Sequence, residues 1–291
     1  MSEAARIAPP QTPPQGPPAA DRRGPAAAPP ELQGAPAPSH TDPAAKPSRP
    51  GEAIALQGAP ASSPPTVSVV VPTRDEAAQL PSLLANLQAA LARADEVVLV
   101  DGQSADGTLA AARAPGHPWL RVLEAPRGRA AQLNAGAAAA RGEWLLFLHA
   151  DTRLSRHALR RIAALGPEVS WGFSTLRLPA PGLAYRLIEG GINLRSRRFA
   201  TPSGDQALFV RRALFESLGG FPPVPFLEDL AFVDRLRAAG AGPPHVLPEP
   251  AVTSARRWQR HGLLATVVRM WALRLAYRAG VSPARLARHY R

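Results

Sequence analysis

From Thr66 onward, short apolar runs alternate with segments of helical period. Residues 67–71 (VSVVV) form a nearly continuous β-branched run stopped at Pro72, the pattern of a strand buried on both faces. Leu80, Leu83, Leu84, Leu87 and Leu91 then recur at helical spacing. Residues 97–100 form a second β-branched run that ends at Asp101-Gly102. A short helix is predicted over 108–113, a strand over 120–123 and an Ala-rich helix over 130–141. Residues 144–148 (WLLFL) read as another buried strand, with Ser155 placed to cap the helix after it. This strand–helix alternation predicts a parallel, doubly wound α/β sheet across 66–165.

Further on, 173–178 and 207–210 read as strands, and 182–197, 211–218 and 228–239 as helices. The helix at 228 opens on two carboxylates, which suit a helix N-terminus. Residues 259–279 predict one amphipathic helix with Leu263, Leu264, Val267, Val268, Trp271 and Leu275 on a broad face.

Composition separates the first 65 residues from the rest. Seventeen of the 34 prolines fall there, with five basic and five acidic residues and few large apolar ones. Such a segment buries too little surface to offset its ordering entropy, so 1–65 is expected to be a disordered tail and 66–291 the folded domain. No cysteine occurs, which excludes disulfides, thiolate metal sites and a Cys nucleophile. Prolines interrupt any apolar core of a secretory signal, and Arg269, Arg274 and Arg278 interrupt the best candidate for a membrane span. These features lead us to expect a cytoplasmic protein.

The net charge is +12, and its location matters more than its size. After Glu249 come nine arginines and no carboxylate. An anionic membrane surface, a nucleic acid or a phosphorylated ligand would each answer that charge.

Ligands of parallel open sheets bind beyond the carboxyl ends of the strands. Three predicted strands end there in Thr73-Arg74-Asp75-Glu76, in Asp101-Gly102-Gln103-Ser104 and in His149-Ala150-Asp151. Carboxylates at the centre of the edge suit a metal and an anionic ligand, and argue against a surface for nucleic-acid phosphates. Neither GxxxxGK[ST] nor a GxGxxG after the first strand is present, which weakens ATPase and dehydrogenase readings.

The strings VSVVVPTRDEAAQL, VVLVDGQSADGT, GRAAQLNAG, WLLFLHADT, GDQALFVRR, FLEDLAF and ARRW, in that order, resemble the family 2 glycosyltransferases. The likeness is greatest to the small bacterial subgroup found in radical-SAM and selenodomain gene neighbourhoods. It runs from about Thr66 to the C-terminus. It implies the GT-A fold, a Rossmann-like, mostly parallel α/β sheet flanked by helices. A nucleotide-binding half would cover about 66–165 and an acceptor-binding half about 166–291.

The resemblance also implies roles. Pro72, Thr73, Glu76, Asp101, Ser104, Arg129, Asn134 and Asp151 would meet the donor nucleotide. The family often has Asp-Asp-Gly-Ser where this chain has Asp101-Gly102-Gln103-Ser104, and Asp101 is alternatively a turn aspartate. Arg129 stands where relatives have lysine and is either a diphosphate contact or a solvated surface group. Asp151 would carry Mg²⁺ or Mn²⁺ in place of the usual Asp-x-Asp. His149 is a second ligand, an orienter of Asp151 or a phosphate contact. Asp229 would be the general base, with Glu228 beside it. Asp205, Arg257 and Trp258 would serve the acceptor or diphosphate, with core packing the alternative for Trp258. The implied reaction moves a sugar, with inversion, from a nucleoside diphosphate to a hydroxyl or carboxyl acceptor. Lipids, carotenoid acids and small metabolites such as arsenosugar precursors are acceptors of such enzymes. The remaining readings are a basic binding module without catalysis and a nucleotidyltransferase. The helix at 259–279 either lies on an anionic membrane, at the inner face of the cell membrane, or packs its apolar face on the sheet.

Overall fold

The first apolar run becomes β1 (Val67–Thr73), in which six of the seven residues are buried. In a computed structural model of the chain, residues 66–92 and 95–290 are described, all within the compact unit Ala59–Arg291. The tail expected over 1–65 lies outside the described residues.

After β1 the chain forms α1 (Leu80–Ala90), β2 (Glu96–Asp101), α2 (Thr108–Arg113), β3 (Leu120–Glu124), α3 (Arg129–Ala139) and β4 (Trp144–Phe147). The short β5 (Thr152–Arg153) and α4 (Ala158–Ala163) follow. The second half holds β6 (Trp171–Arg177), α5 (Leu183–Phe199), β7 (Phe209–Arg211), α6 (Arg212–Ser217), α7 (Glu228–Ala238) and β8 (His245–Thr253). It closes with α8 (Arg256–His261), α9 (Leu263–Arg278) and α10 (Pro283–Tyr290).

All eight strands join one sheet in the order β3-β2-β1-β4-β7-β6-β8-β5. β3, β2, β1 and β4 are mutually parallel, and β6 pairs parallel with β8. β7 runs against both β4 and β6, and β5 against β8. The sheet is therefore mostly parallel, as expected, with antiparallel insertions in the second half.

Alternate residues of a strand face opposite sides of the sheet, and both sides are covered. Val67, Val69 and Val71 pack with Leu80, Leu83 and Leu87 of α1 and with Leu159 and Ile162 of α4. Val70 faces the other way, toward Leu133 of α3, Phe215 of α6 and Phe232 of α7. Burial of each such side chain contributes roughly 1.5–3 kcal/mol. Gly136 of α3 belongs to this contact: a Cβ there would meet Val70 Cγ1 at 2.4 Å, so the helix lies on the sheet only because the position is glycine.

Three local expectations are corrected. His157, not Ser155, occupies the N-cap of α4, and no side chain caps it; the Ser155 hydroxyl accepts only the His157 N–H, at 3.3 Å. The helix predicted over 259–279 is two helices, divided at Gly262, whose φ of +81° ends α8 and starts α9 at an angle a side chain disfavours. Nor does the apolar stripe of α9 pack on the sheet. Leu264, Val268, Trp271 and Leu275 are 50–76% exposed, while Leu273 on the opposite side joins Leu227, Leu230 and Leu286 in a small core. The Tyr277 hydroxyl donates to Asp234 at 3.1 Å and Arg278 pairs with the same carboxylate at 3.0 Å, which ties α9 to α7. No described helix is long and apolar enough to cross a membrane.

Candidate active site

The carboxyl ends of β1 and β2 are laced together by side chains. Asp101 is 2% exposed and accepts both the backbone N–H and the hydroxyl of Ser104. Ser104 Oγ in turn accepts the Asp75 N–H at 2.9 Å, and Asp75 accepts the Ala105 N–H at 2.8 Å. Asp106 accepts the N–H groups of Ala77 and Thr108, and the Thr108 hydroxyl accepts the Glu76 N–H. Pro72 lies in β1 ahead of the loop, and buried Thr73 donates its hydroxyl to Val100 O at 3.3 Å. The Gln132 amide bridges the two strand ends from α3, donating to Thr73 O at 2.8 Å and Val100 O at 2.9 Å. Sequence reasoning missed Gln132, although a buried amide one helical turn after Gly128-Arg129 is a polar group that must find partners.

Asn134, expected at the nucleotide, instead clamps the backbone of Phe221: Nδ2 donates to its carbonyl and Oδ1 accepts its N–H, each at 2.9 Å. Both ends of the amide are thus used in structure. Phe221 sits in a cluster with Phe147, Phe215 and Phe232, ring centroids 4.8–5.5 Å apart along the chain of contacts. Through Phe232 that cluster anchors α7.

α7 begins with Glu228 and Asp229. Glu228 is 5% exposed and pairs with Arg129 of α3 at 3.4 Å. Burial raises its carboxyl above the usual range; Arg129 opposes this and Asp229 adds to it. Asp229 accepts the N–H of Gly204 at 2.7 Å and of Leu230 at 2.8 Å. Gly204 opens a one-turn 3₁₀ helix, Gly204–Gln206, that carries Asp205 next to Asp229. Gln206, fully buried, holds this turn by accepting from Ser196 Oγ and Ser203 N and donating to Ser174 O.

His149 is drawn to that turn. Its Nδ1 is 2.8 Å from Asp205 Oδ1, and its Nε2 lies against Gly204. Burial disfavours the Asp205 charge, but the His149 hydrogen bond and charge, then Arg257 and Arg129, outweigh it and hold the carboxyl well below the usual range. Asp151, two residues on, faces a different group. Arg256 of α8 reaches Asp151 at 3.8 Å and Glu76 at 3.6 Å, joining the ends of β1 and β4. Burial raises the Glu76 carboxyl, with Arg256 opposing and Asp151 adding. Arg153 braces the turn from beneath through Ala150 O and Ser82. Arg256 and Arg153 were not singled out from the sequence; the arginines expected at the diphosphate were Arg129 and Arg257.

Among the described residues no three His, Asp or Glu side chains form a metal-binding group. One partly exposed hard carboxylate, Asp151, fits a divalent cation whose other ligands are phosphate oxygens and water, and does not fit an all-protein cage.

Beside these carboxylates opens a cavity of about 320 Å³ between α5, α8 and α9. Asp151, Asp205, Arg257 and Trp258 line its polar end, and Leu187, Ile192, Val267, Met270 and Trp271 its apolar walls. Trp258 is half-buried at the cavity rather than in the core.

Residues 68–165 match the family described as glycosyl transferase family 2. A PGL/p-HBAD biosynthesis glycosyltransferase of Mycobacterium bovis (strain BCG / Pasteur 1173P2) is 33% identical over 167 residues, 54% of this chain and 63% of the relative. The chain thus matches somewhat under two thirds of the length of that curated relative. A mannosyltransferase from Pyrobaculum calidifontis, solved in complex with GDP-Man and Mn²⁺, superposes with a TM-score of 0.54 at 25% identity, over 74% of this chain and 62% of that one. Glucosyl-3-phosphoglycerate synthase from Mycobacterium tuberculosis, solved with Mn²⁺, UDP and glucosyl-3-phosphoglycerate, shares the fold with a TM-score of 0.53 at 21% identity, over 75% of this chain and 81% of that one. The ordered motifs, the matched span and the shared fold make residues 68–165 a glycosyl transferase family 2 domain of the GT-A type.

Proposed function

We propose that the chain transfers a sugar, with inversion, from a nucleoside diphosphate to a hydroxyl or carboxyl group of a second substrate. One observation carries this reading. Asp151, Asp205 and Asp229, borne on separate elements, gather at the carboxyl end of the parallel strands, where Asp151 and Asp205 line a cavity large enough for an acceptor. A basic binding module has no use for such a group, and a nucleotidyltransferase would want a Gly-rich basic loop after β1, where this chain has Thr73-Arg74-Asp75-Glu76.

In this reading the half at 66–165 takes the donor and the half at 166–291 the acceptor. Pro72, Thr73, Glu76, Asp101 and Ser104 form the loops around the base and ribose; Asp101 acts through Ser104 by fixing the loop. Arg129, held by Glu228, and Arg257 supply positive charge to the diphosphate. Asp151 would hold Mg²⁺ or Mn²⁺, which when bound offsets charge on the leaving group. Asp229 accepts the acceptor proton as the hydroxyl oxygen attacks C1 from the face opposite the leaving diphosphate. Its carboxylate is fixed by the Gly204 and Leu230 N–H groups, and Asp205, oriented by His149, stands next to it. Trp258 forms an aromatic wall of the acceptor cavity. The Mn²⁺ and GDP-Man of the mannosyltransferase support this assignment of donor and metal class. A thermal-shift comparison of GDP and UDP, each with and without Mn²⁺, tests it: one nucleotide should stabilise the chain, and more so with the metal. Stabilisation by neither would overturn the donor reading.

We further propose that this enzyme works at an anionic membrane surface. Leu187 of α5 and Trp271 of α9 line the cavity and are largely exposed, and the same two helices carry the further uncovered apolar side chains Leu183, Leu194, Leu264, Val268 and Leu275. Arg260 stands exposed near α9. Arg278 is tied to Asp234, and Tyr277 bonds the same carboxylate, so neither is left free to meet lipid phosphates. Co-sedimentation with phosphatidylglycerol vesicles should be strong at low salt and weaken toward 1 M salt, where the Debye length is about 3 Å. Trp271→Ser should lower it at every salt concentration. Absence of binding at low salt would remove the membrane from the reading.

A further inference from the structure

Two arginines reach the acceptor cavity from its two walls: Arg195 from α5 and Arg274 from α9. Neither belongs to a motif of the resemblance. Arg195 donates to the neighbouring Ser196 hydroxyl at 3.2 Å, but its buried Nε has no hydrogen-bond partner. Among the described residues neither guanidinium forms a salt bridge with a carboxylate. Asp229 attracts both, and Asp205 attracts Arg274, from beyond pairing distance.

Like charges side by side in a partly desolvated pocket oppose each other. Burial, and then Arg274, lower the Arg195 guanidinium to about 9, against the pull of Asp229. Burial likewise lowers Arg274, with Asp229 and Asp205 opposing. Both remain protonated at neutral pH. A cavity whose walls are apolar, and which keeps two guanidiniums without a carboxylate partner and one Nε without any partner, is built for a group that carries negative charge. Guanidinium is the side chain best matched to the paired oxygens of phosphate or carboxylate.

We propose that this cavity is an acceptor subsite for a hydroxyl compound bearing a phosphate or carboxylate group, which sits between Arg195 and Arg274 while the hydroxyl turns toward Asp229. The inference rests on the glycosyltransferase reading for the word acceptor; the anion site itself does not. The polar groups divide accordingly. Arg195 and Arg274 lie along the α5 and α9 walls, and the carboxylates, together with Arg257, lie at the end where the sugar would be received. The apolar walls favour an anion attached to a carbon skeleton over a free inorganic ion. A phospholipid headgroup and a small phosphorylated metabolite share this chemistry.

The test uses the full chain with 1 mM MnCl₂ and glycerol 3-phosphate as probe, titrated calorimetrically, with glycerol as the uncharged control. Glycerol 3-phosphate should bind and glycerol should not. Arg195→Gln and Arg274→Gln should each weaken binding by about 10-fold or more, the loss of a hydrogen bond to a charged group. Lysine at either position keeps the charge and should restore part of it. GDP and UDP binding, measured on the same variants, should stay unchanged; its absence in every sample, the unsubstituted chain included, would overturn the donor reading and leave the anion site standing. Should a glutamine variant fail to fold, the unsubstituted protein still decides the matter. Trp258 and Trp271 line the cavity, and tryptophan fluorescence should change with glycerol 3-phosphate and not with glycerol. Vesicles of phosphatidylglycerol, compared with phosphatidylcholine, separate the sources. Binding of the phosphatidylglycerol headgroup that both glutamine variants lose assigns a lipid, and binding of glycerol 3-phosphate alone assigns a small metabolite. Equal affinity of the folded variants and the unsubstituted chain for these probes, or no preference for glycerol 3-phosphate or phosphatidylglycerol over their controls, overturns the proposal.

Discussion

Asp229→Asn should cut turnover by about 10²–10⁴-fold, the usual contribution of a positioned general base, while the donor nucleotide binds as before. The substitution is nearly isosteric. The amide oxygen can still accept the Gly204 N–H that the carboxylate accepts at 2.7 Å, so the turn carrying Asp205 should hold. What is lost is the ability to take a proton. The neighbours make the assignment specific. Glu228 is buried against Arg129, and Asp205 is committed to His149, which leaves Asp229 as the carboxylate of this group whose partners are backbone N–H groups. Single-turnover rates with any accepted acceptor, together with nucleotide affinity, check the prediction. Near-normal turnover would exclude Asp229, and a loss of nucleotide affinity equal to the loss of rate would make its role structural.

The second large effect is expected at the other end of the site. Asp151→Asn should reduce the Mn²⁺-dependent part of nucleotide binding by about 10-fold or more, since even groups one shell further out commonly change metal affinity by about 10–100-fold. Nucleotide affinity in EDTA should hardly move. The fold should survive, because Asp151 is partly exposed and its pair with Arg256, itself more than half exposed, contributes at most about 1 kcal/mol. Arg256 would keep Glu76 as a partner. Calorimetry with and without Mn²⁺ reads the difference directly. Undiminished metal-dependent binding in the variant would move the metal away from Asp151.

These two residues also show how far residues alone can be read. Both lie just past features with strong local signals, a buried strand for Asp151 and a helix N-terminus for Asp229. The sheet was legible for the same reason. Strands buried on both faces must be apolar throughout, so β1, β2 and β4 announce themselves. The 108–113 helix coincides with α2, and the helix at 228 begins at Glu228. β8 was not foreseen, because it runs through Pro248 and Pro250 with exposed and half-buried positions and so lacks either strand period. The break at Gly262 was missed because hydrophobic periodicity continues across it while the backbone does not.

Motif residues divided in a way that spacing does not reveal. Asn134 and Gly136 sit in one helical segment with Arg129, yet the amide of Asn134 holds Phe221 and Gly136 makes room for Val70, while Arg129 reaches Glu228. His149 stands two residues from Asp151 but turns to Asp205, fifty-six positions away in the chain. Arg274, which in the sequence only interrupts an apolar stretch, lines the cavity.

The sequence by itself determined the α/β alternation, the parallel strands of the first half and the three acidic strand ends, because burial and capping are local demands that each segment meets with its own composition. Tertiary structure alone decided which carboxylate each arginine and histidine joins, which face of α9 stays uncovered and that Arg195 and Arg274 line one cavity. Those outcomes depend on contacts between segments far apart in the chain, and long polar side chains reach partners that no periodicity encodes.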